Sequence, residues 1–291
     1  MPIAPLWHVT LRAIQNWWKD NCLRLAASLA YYTALSLAPL LLLIVGVVGL
    51  VLDRQQVAHQ LTTQLEGLMG PAGRELVTSI LATTSPQGST VATIVGLVTL
   101  FIGATAVFGE LQSTMNLIWE VQPAPTGGVW AGIWAWLRQR IFSLAIVFAL
   151  AFLLLVSLVI SAALAGATAL FHGSEQAVLS RVLEIAVSLL VLTFVFALLY
   201  KYVPDAEIGW RDVWLGGLIT AVLFTLGKTA IGIYLGRASV GSAYGAAGSM
   251  VVLLVWVYYS ALIMFFGAEF THAWATRHAR GSTPDQKRGS Q

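Results

Sequence analysis

The sequence predicts an all-α membrane protein: six transmembrane helices, an N-terminal interfacial helix and a short helical outer loop. Three observations carry this. Charged residues make up only 10% of the 291 residues, against about 25% in soluble domains. Mean hydropathy is +0.79. Six apolar stretches reach or approach the ~20 residues that cross a ~30 Å hydrocarbon core as helix. In hydrocarbon every backbone group must bond within the segment, so helix is the structure such stretches adopt.

Residues 1–25 form the interfacial segment. Trp7, Leu11, Ile14 and Trp18 share one helical face, while Arg12, Gln15, Asn16 and Lys19 lie elsewhere. Tryptophan, apolar and basic residues at this spacing suit a helix lying among headgroups. No short apolar core with a small-residue cleavage site is seen, so no removable signal peptide is expected.

The six spans form a membrane domain over 26–274, with spans at about 26–52, 91–109, 141–169, 182–202, 213–236 and 249–274. The first carries Tyr31, Tyr32, Ser36 and Pro39, a polar patch in a helix that proline should bend. Between the first two spans lies the outer loop, 53–90. Val57, Leu61, Leu65 and Leu68 make a helical stripe, Gly70-Pro71 breaks it, and Leu76, Ile80 and Leu81 resume it, which predicts a helical hairpin. The tail, 275–291, is polar and expected to be disordered.

Lysine and arginine set the expected orientation. With the N-terminus inside, Arg12, Lys19, Arg24, Arg138, Arg140, Lys201, Arg211, Arg277, Arg280, Lys287 and Arg288 fall inside. Only Arg54, Arg74, Arg181 and Arg237 fall outside. This positive-inside bias puts both termini in the cytoplasm and the chain in a bacterial inner membrane. The net charge of +3 is thereby an orientation signal, and nucleic acid is not an expected partner; the lipid bilayer is.

Charges at membrane depth are the candidate functional groups. Glu184 near the start of the fourth span and Lys228 within the fifth lie at similar depth and can pair, or Lys228 can snorkel to the outer headgroups. Glu110 and Glu269 are placed at the inner ends of the second and sixth spans, with Asn116 near. There they line a polar vestibule, or are solvated or paired at helix ends. Gly216, Gly217, Gly241, Gly245 and Gly248 favour close helix packing, within one chain or between two copies. A homo-oligomer therefore stays open.

Metal and enzyme chemistry have no support in the residues. Cys22 is the single cysteine, and the five histidines show no ligand spacing. No glycine-rich phosphate loop, catalytic constellation or prosthetic-group motif is present. No catalytic residue, metal or cofactor is expected.

Three stretches resemble one family. They are Arg24-Leu-Ala-Ala-Ser-Leu-Ala-Tyr-Tyr-Thr-Ala-Leu-Ser-Leu-Ala-Pro39; Phe108-Gly-Glu-Leu-Gln followed by Asn116-Leu-Ile-Trp119; and Tyr202-Val-Pro-Asp205 through Trp210-Arg-Asp212 and Tyr244-Gly-Ala-Ala-Gly248 to Gly267-Ala-Glu269. Their order and spacing are similar to the YihY / virulence factor BrkB family, whose members have also been labelled ribonuclease BN. The resemblance implies a six-helix inner-membrane protein with both termini inside. The ribonuclease label is not matched by clustered metal ligands or a basic groove here. Two expectations remain: a transporter or exporter with a polar path near Tyr31, Glu110, Lys228 and Glu269, or a non-transporting protein supporting the envelope or a partner complex.

Overall fold

The structure is a computed structural model, and it describes residues 4–48, 53–82, 90–121, 174–237 and 247–281. The described elements are helices: α1 (Ala4–Lys19), α2 (Cys22–Val48), α3 (Arg54–Met69), α4 (Pro71–Ala82), α5 (Thr90–Ile118), α6 (Ser174–Tyr202), α7 (Trp210–Arg237) and α8 (Gly248–Gly281). Four contain segments long and apolar enough to cross a membrane: Cys22–Leu42, Ile185–Tyr202, Trp210–Gly232 and Gly248–Arg277. The expected second span falls within α5. The expected third span, 141–169, lies outside the described residues.

Three boundaries differ from the sequence-based expectation. The interfacial helix ends at Lys19, not near residue 25, because Asn21 adopts φ 53°, a left-handed conformation that asparagine tolerates better than most residues. Cys22 then opens α2. The helix that holds the second span, 91–109, continues past it to Ile118; Thr114, Met115 and Ile118 fall on one side and are buried, so packing extends it. The sixth helix continues to Gly281, so residues 275–281 are helical and not part of a disordered tail.

The chain divides into two compact units. One comprises Met1–Asp20, Gln112–Leu223 and Met264–Gln291. In it, Val9 and Ala13 of α1 bury against Phe270 and Ala273 of α8, with Leu215 and Ile219 of α7 packed beside them. The opposite face of α1 exposes Trp7, Leu11, Ile14 and Trp18, so its aromatic stripe points away from the protein. Small residues let the other helices of this unit approach closely. A Cβ on Gly217 would stand 2.6 Å from the Thr193 carbonyl oxygen, and one on Gly216 would strike the Thr271 hydroxyl.

The second unit comprises Asn21–Leu111 and Phe224–Ile263. Here α3 and α4 form a hairpin whose turn falls at Gly70, with φ 69°, a conformation glycine adopts without steric cost. Asp53 caps α3, accepting from the Gln55 and Gln56 amides at 2.8 and 3.1 Å. Met69 and Leu76 pack with Ala34 of α2 and Val252 and Leu253 of α8.

Candidate functional site

Among the described residues, Glu269 is the one acidic or basic side chain that is buried. Its exposure is 0%, yet neither carboxyl oxygen has a hydrogen-bond partner. It lies about three turns before the end of α8. The groups that act on it come from across the chain: the Asn16 side chain of α1, Asp20 just after α1, and, at longer electrostatic range, Glu120 after α5. One turn along α8, half-buried His272 lies within the electrostatic reach of Glu120 and Asp20. Its ring lies 5.0 Å from that of Trp119. His272 Nδ1 and Trp119 Nε1 are also buried without partners, as are Trp17 Nε1 and Thr114 Oγ1. Buried polar atoms without partners are uncommon in folded proteins, and each asks for an explanation.

Glu120 adds a second irregularity. The Val121 amide donates to the Asn116 carbonyl at 2.9 Å and the Glu120 amide to the Leu117 carbonyl at 3.0 Å. This is the bonding of a Schellman cap, whose left-handed position is usually glycine. Glutamate occupies it here at φ 52°, at a cost of about 1 kcal/mol. Asn21 and Glu120 are the two non-glycine residues with positive φ among the described residues. Asn21 directly follows Asp20 in sequence.

Asn116 takes a different place from the vestibule expected for it. Its side-chain amide donates to Asp205 Oδ2 at 2.9 Å, and its carbonyl oxygen accepts from the Asp205 backbone amide at 2.8 Å. Gln112, one turn earlier, donates to both carboxylate oxygens at 3.3 and 3.2 Å. Lys201 donates to the Ile208 carbonyl. These bonds pin the turn between α6 and α7. Nearby, the Tyr200 hydroxyl bonds Thr220 Oγ1 at 2.9 Å and donates to the Met264 carbonyl at 2.8 Å, tying α6, α7 and α8 together.

Tyr31 is 57% exposed, with its ring 5.6 Å from that of half-buried Tyr32. Glu110 is half-buried and Lys228 exposed. α2 is helical through Pro39, and α8 begins at Gly248. The side chain of Glu184, and with it the pairing to Lys228, lies outside what the structure describes, as do Gly241 and Gly245. Sequence reasoning passed over Asp20, Glu120 and His272. The spacing of Glu269 and His272, which puts them on one helical face, was the available signal. Among the described residues, no three histidine, cysteine or acidic side chains converge closely enough to hold a metal ion.

Comparison with known proteins agrees with the resemblance. The family model described as Virulence factor BrkB matches residues 13–291. A UPF0761 membrane protein of Alkalilimnicola ehrlichii is 29% identical over 272 residues, covering 91% of this chain and 58% of the relative. One of Legionella pneumophila is 30% identical over 275 residues, covering 92% of this chain and 62% of the relative. A third, of Chromobacterium violaceum, is 28% identical over 257 residues, covering 87% and 59%. The chain thus spans about three fifths of the length of these curated relatives. No solved structure matches it. With its apolar helices, its three motif stretches and a family match over nearly its whole length, the chain belongs to the Virulence factor BrkB family of membrane proteins.

Proposed function

We propose that this protein is a transporter-like inner-membrane protein that moves a substrate across the bilayer, with the region around Glu269 as its moving, polar element. One observation carries the reading: a carboxyl at 0% exposure, without a hydrogen-bond partner, in a helix apolar enough to span a membrane. Such a group is costly and marks ion or substrate pathways by default. A group that serves packing alone would be better replaced by an apolar side chain or given a partner.

The competing reading is a non-transporting protein that supports the envelope or a partner complex. The outward placement of Tyr31 and Lys228 favours it, since neither contributes to an enclosed path. Single cysteines at 269 and 272, treated with a small water-soluble thiol reagent in intact membranes, separate the two. Cys22, at 0% exposure, serves as the silent internal control. Reaction at 269 supports a state in which the enclosed site opens to water. Silence at both positions in folded protein overturns the transport reading in favour of support.

A further inference from the structure

We infer that α1 is a lipid-binding element that takes anionic phospholipids at the membrane surface, with Arg12 and Lys19 on the headgroups. Lipid binding there holds whether or not the protein transports anything.

Three faces run along this helix. Val9 and Ala13 are buried against Phe270 and Ala273 of α8, with Leu215 and Ile219 of α7 beside them. Trp7, Leu11, Ile14 and Trp18 form an exposed apolar stripe, the two tryptophans at 64% and 61% exposure. His8, Arg12, Gln15 and Lys19 repeat the same spacing one residue later and are exposed too. One residue is about 100° of helical turn, so the basic stripe runs directly beside the apolar one. α1 contains no acidic residue. The next one, Asp20, is half-buried and acts on Glu269. The helix therefore carries net positive charge along one exposed flank.

Depth and charge identify the occupant. α8 is apolar enough to cross a membrane over Gly248–Arg277, and α7 over Trp210–Gly232. At 1.5 Å per residue, Phe270 and Ala273 lie about 6–11 Å inside the end of the first window. Leu215 and Ile219 lie about 8–14 Å inside the start of the second. Amphipathic helices settle about 5–10 Å into the boundary between headgroups and acyl chains. Both contact helices thus hold α1 near that depth. An anionic phospholipid meets every demand of its outer faces. Acyl chains cover the apolar stripe, the interface accepts the indole rings, and a negative headgroup complements Arg12 and Lys19. Both side chains are established donors to phosphate oxygens, arginine through two parallel bonds.

Fluorescence quenching at the stripe tests this. In the full chain, Leu11→Cys carries the fluorophore nitrobenzoxadiazole, while Cys22, at 0% exposure, stays unlabelled. The protein is reconstituted in vesicles of equal phosphatidylcholine and phosphatidylglycerol, with a nitroxide on the acyl chain of one lipid or the other. The expected result is stronger quenching by the phosphatidylglycerol nitroxide, a preference of roughly fivefold for each of the two basic residues. It should shrink at roughly 1 M salt and fall to about one in Arg12→Gln/Lys19→Gln. The same label on Leu218→Cys, an exposed position of α7, should be quenched by both lipids alike in either background, which shows that the variant has inserted. Equal quenching by the two lipids at position 11 with Arg12 and Lys19 in place overturns anionic selectivity. A preference that survives in the inserted double variant overturns the assignment to Arg12 and Lys19. Should that variant fail to insert, salt decides: a preference unchanged at roughly 1 M overturns a charge-based site. Position 11 unquenched by both lipids while position 218 is quenched means that a second copy or another protein covers the stripe, and overturns lipid binding altogether.

Discussion

Gly267→Ala probes how the helices of the first unit are locked. A Cβ at 267 would run into Thr220 Oγ1 and the Tyr200 hydroxyl, two buried groups bonded to each other at 2.9 Å. Overpacking of this kind costs about 1–3 kcal/mol, and loss of the hydroxyl bond adds about 1 kcal/mol. Replacing glycine by alanine inside a helix returns about 1 kcal/mol. The net expectation is destabilisation by about 1–3 kcal/mol, measured as unfolding of the purified protein in mixed micelles at rising dodecyl sulfate. The same change in a Tyr200→Phe/Thr220→Ala background fills space those hydroxyls had occupied. There it should cost under about 1 kcal/mol, a coupling of about 1 kcal/mol or more. Gly232→Ala is the control, since a Cβ there meets nothing within 4 Å; it should be neutral or slightly stabilising. Equal cost of Gly267→Ala in both backgrounds would refute the steric account.

Three further outcomes are expected. Gly73→Ala should open the α3–α4 hairpin, because its Cβ would strike the Leu65 backbone carbonyl, whereas Arg74→Ala should cost under about 1 kcal/mol, since its 2.6 Å pair with Glu66 is exposed; limited proteolysis of the hairpin in membranes separates the two. Asp205→Ala should destabilise by about 2–3 kcal/mol through loss of the Gln112 and Asn116 bonds, while Asp205→Asn loses only part of that in the same unfolding assay. Glu120→Gly should raise stability by about 1 kcal/mol by relieving the left-handed backbone; a drop in melting temperature would show that the carboxylate makes contacts the fold depends on.

Local pattern in the chain marked the helices that the structure describes. Run length and apolarity mark the spans because a bilayer demands both. The Gly70-Pro71 break coincides with the α3–α4 turn because glycine takes positive φ and proline suits a helix start. The stripe of Trp7, Leu11, Ile14 and Trp18 marks the exposed face of α1 because helical period is a local property. Boundaries fared worse: α5 runs on to Ile118 and α8 to Gly281, since packing and propensity extend a helix past its apolar run. Tertiary structure alone decided what meets what. Periodicity states which residues share a face, not which helix that face will touch. Residues 20, 120 and 269 are distant in the chain, and only the packing of α1 on α8 brings Asp20 beside Glu269. The same holds for Asn116, which reads as a vestibule residue in sequence and becomes the clasp of Asp205 in the fold. An amide is equally suited to water or to a carboxylate, and its partner is chosen by the fold.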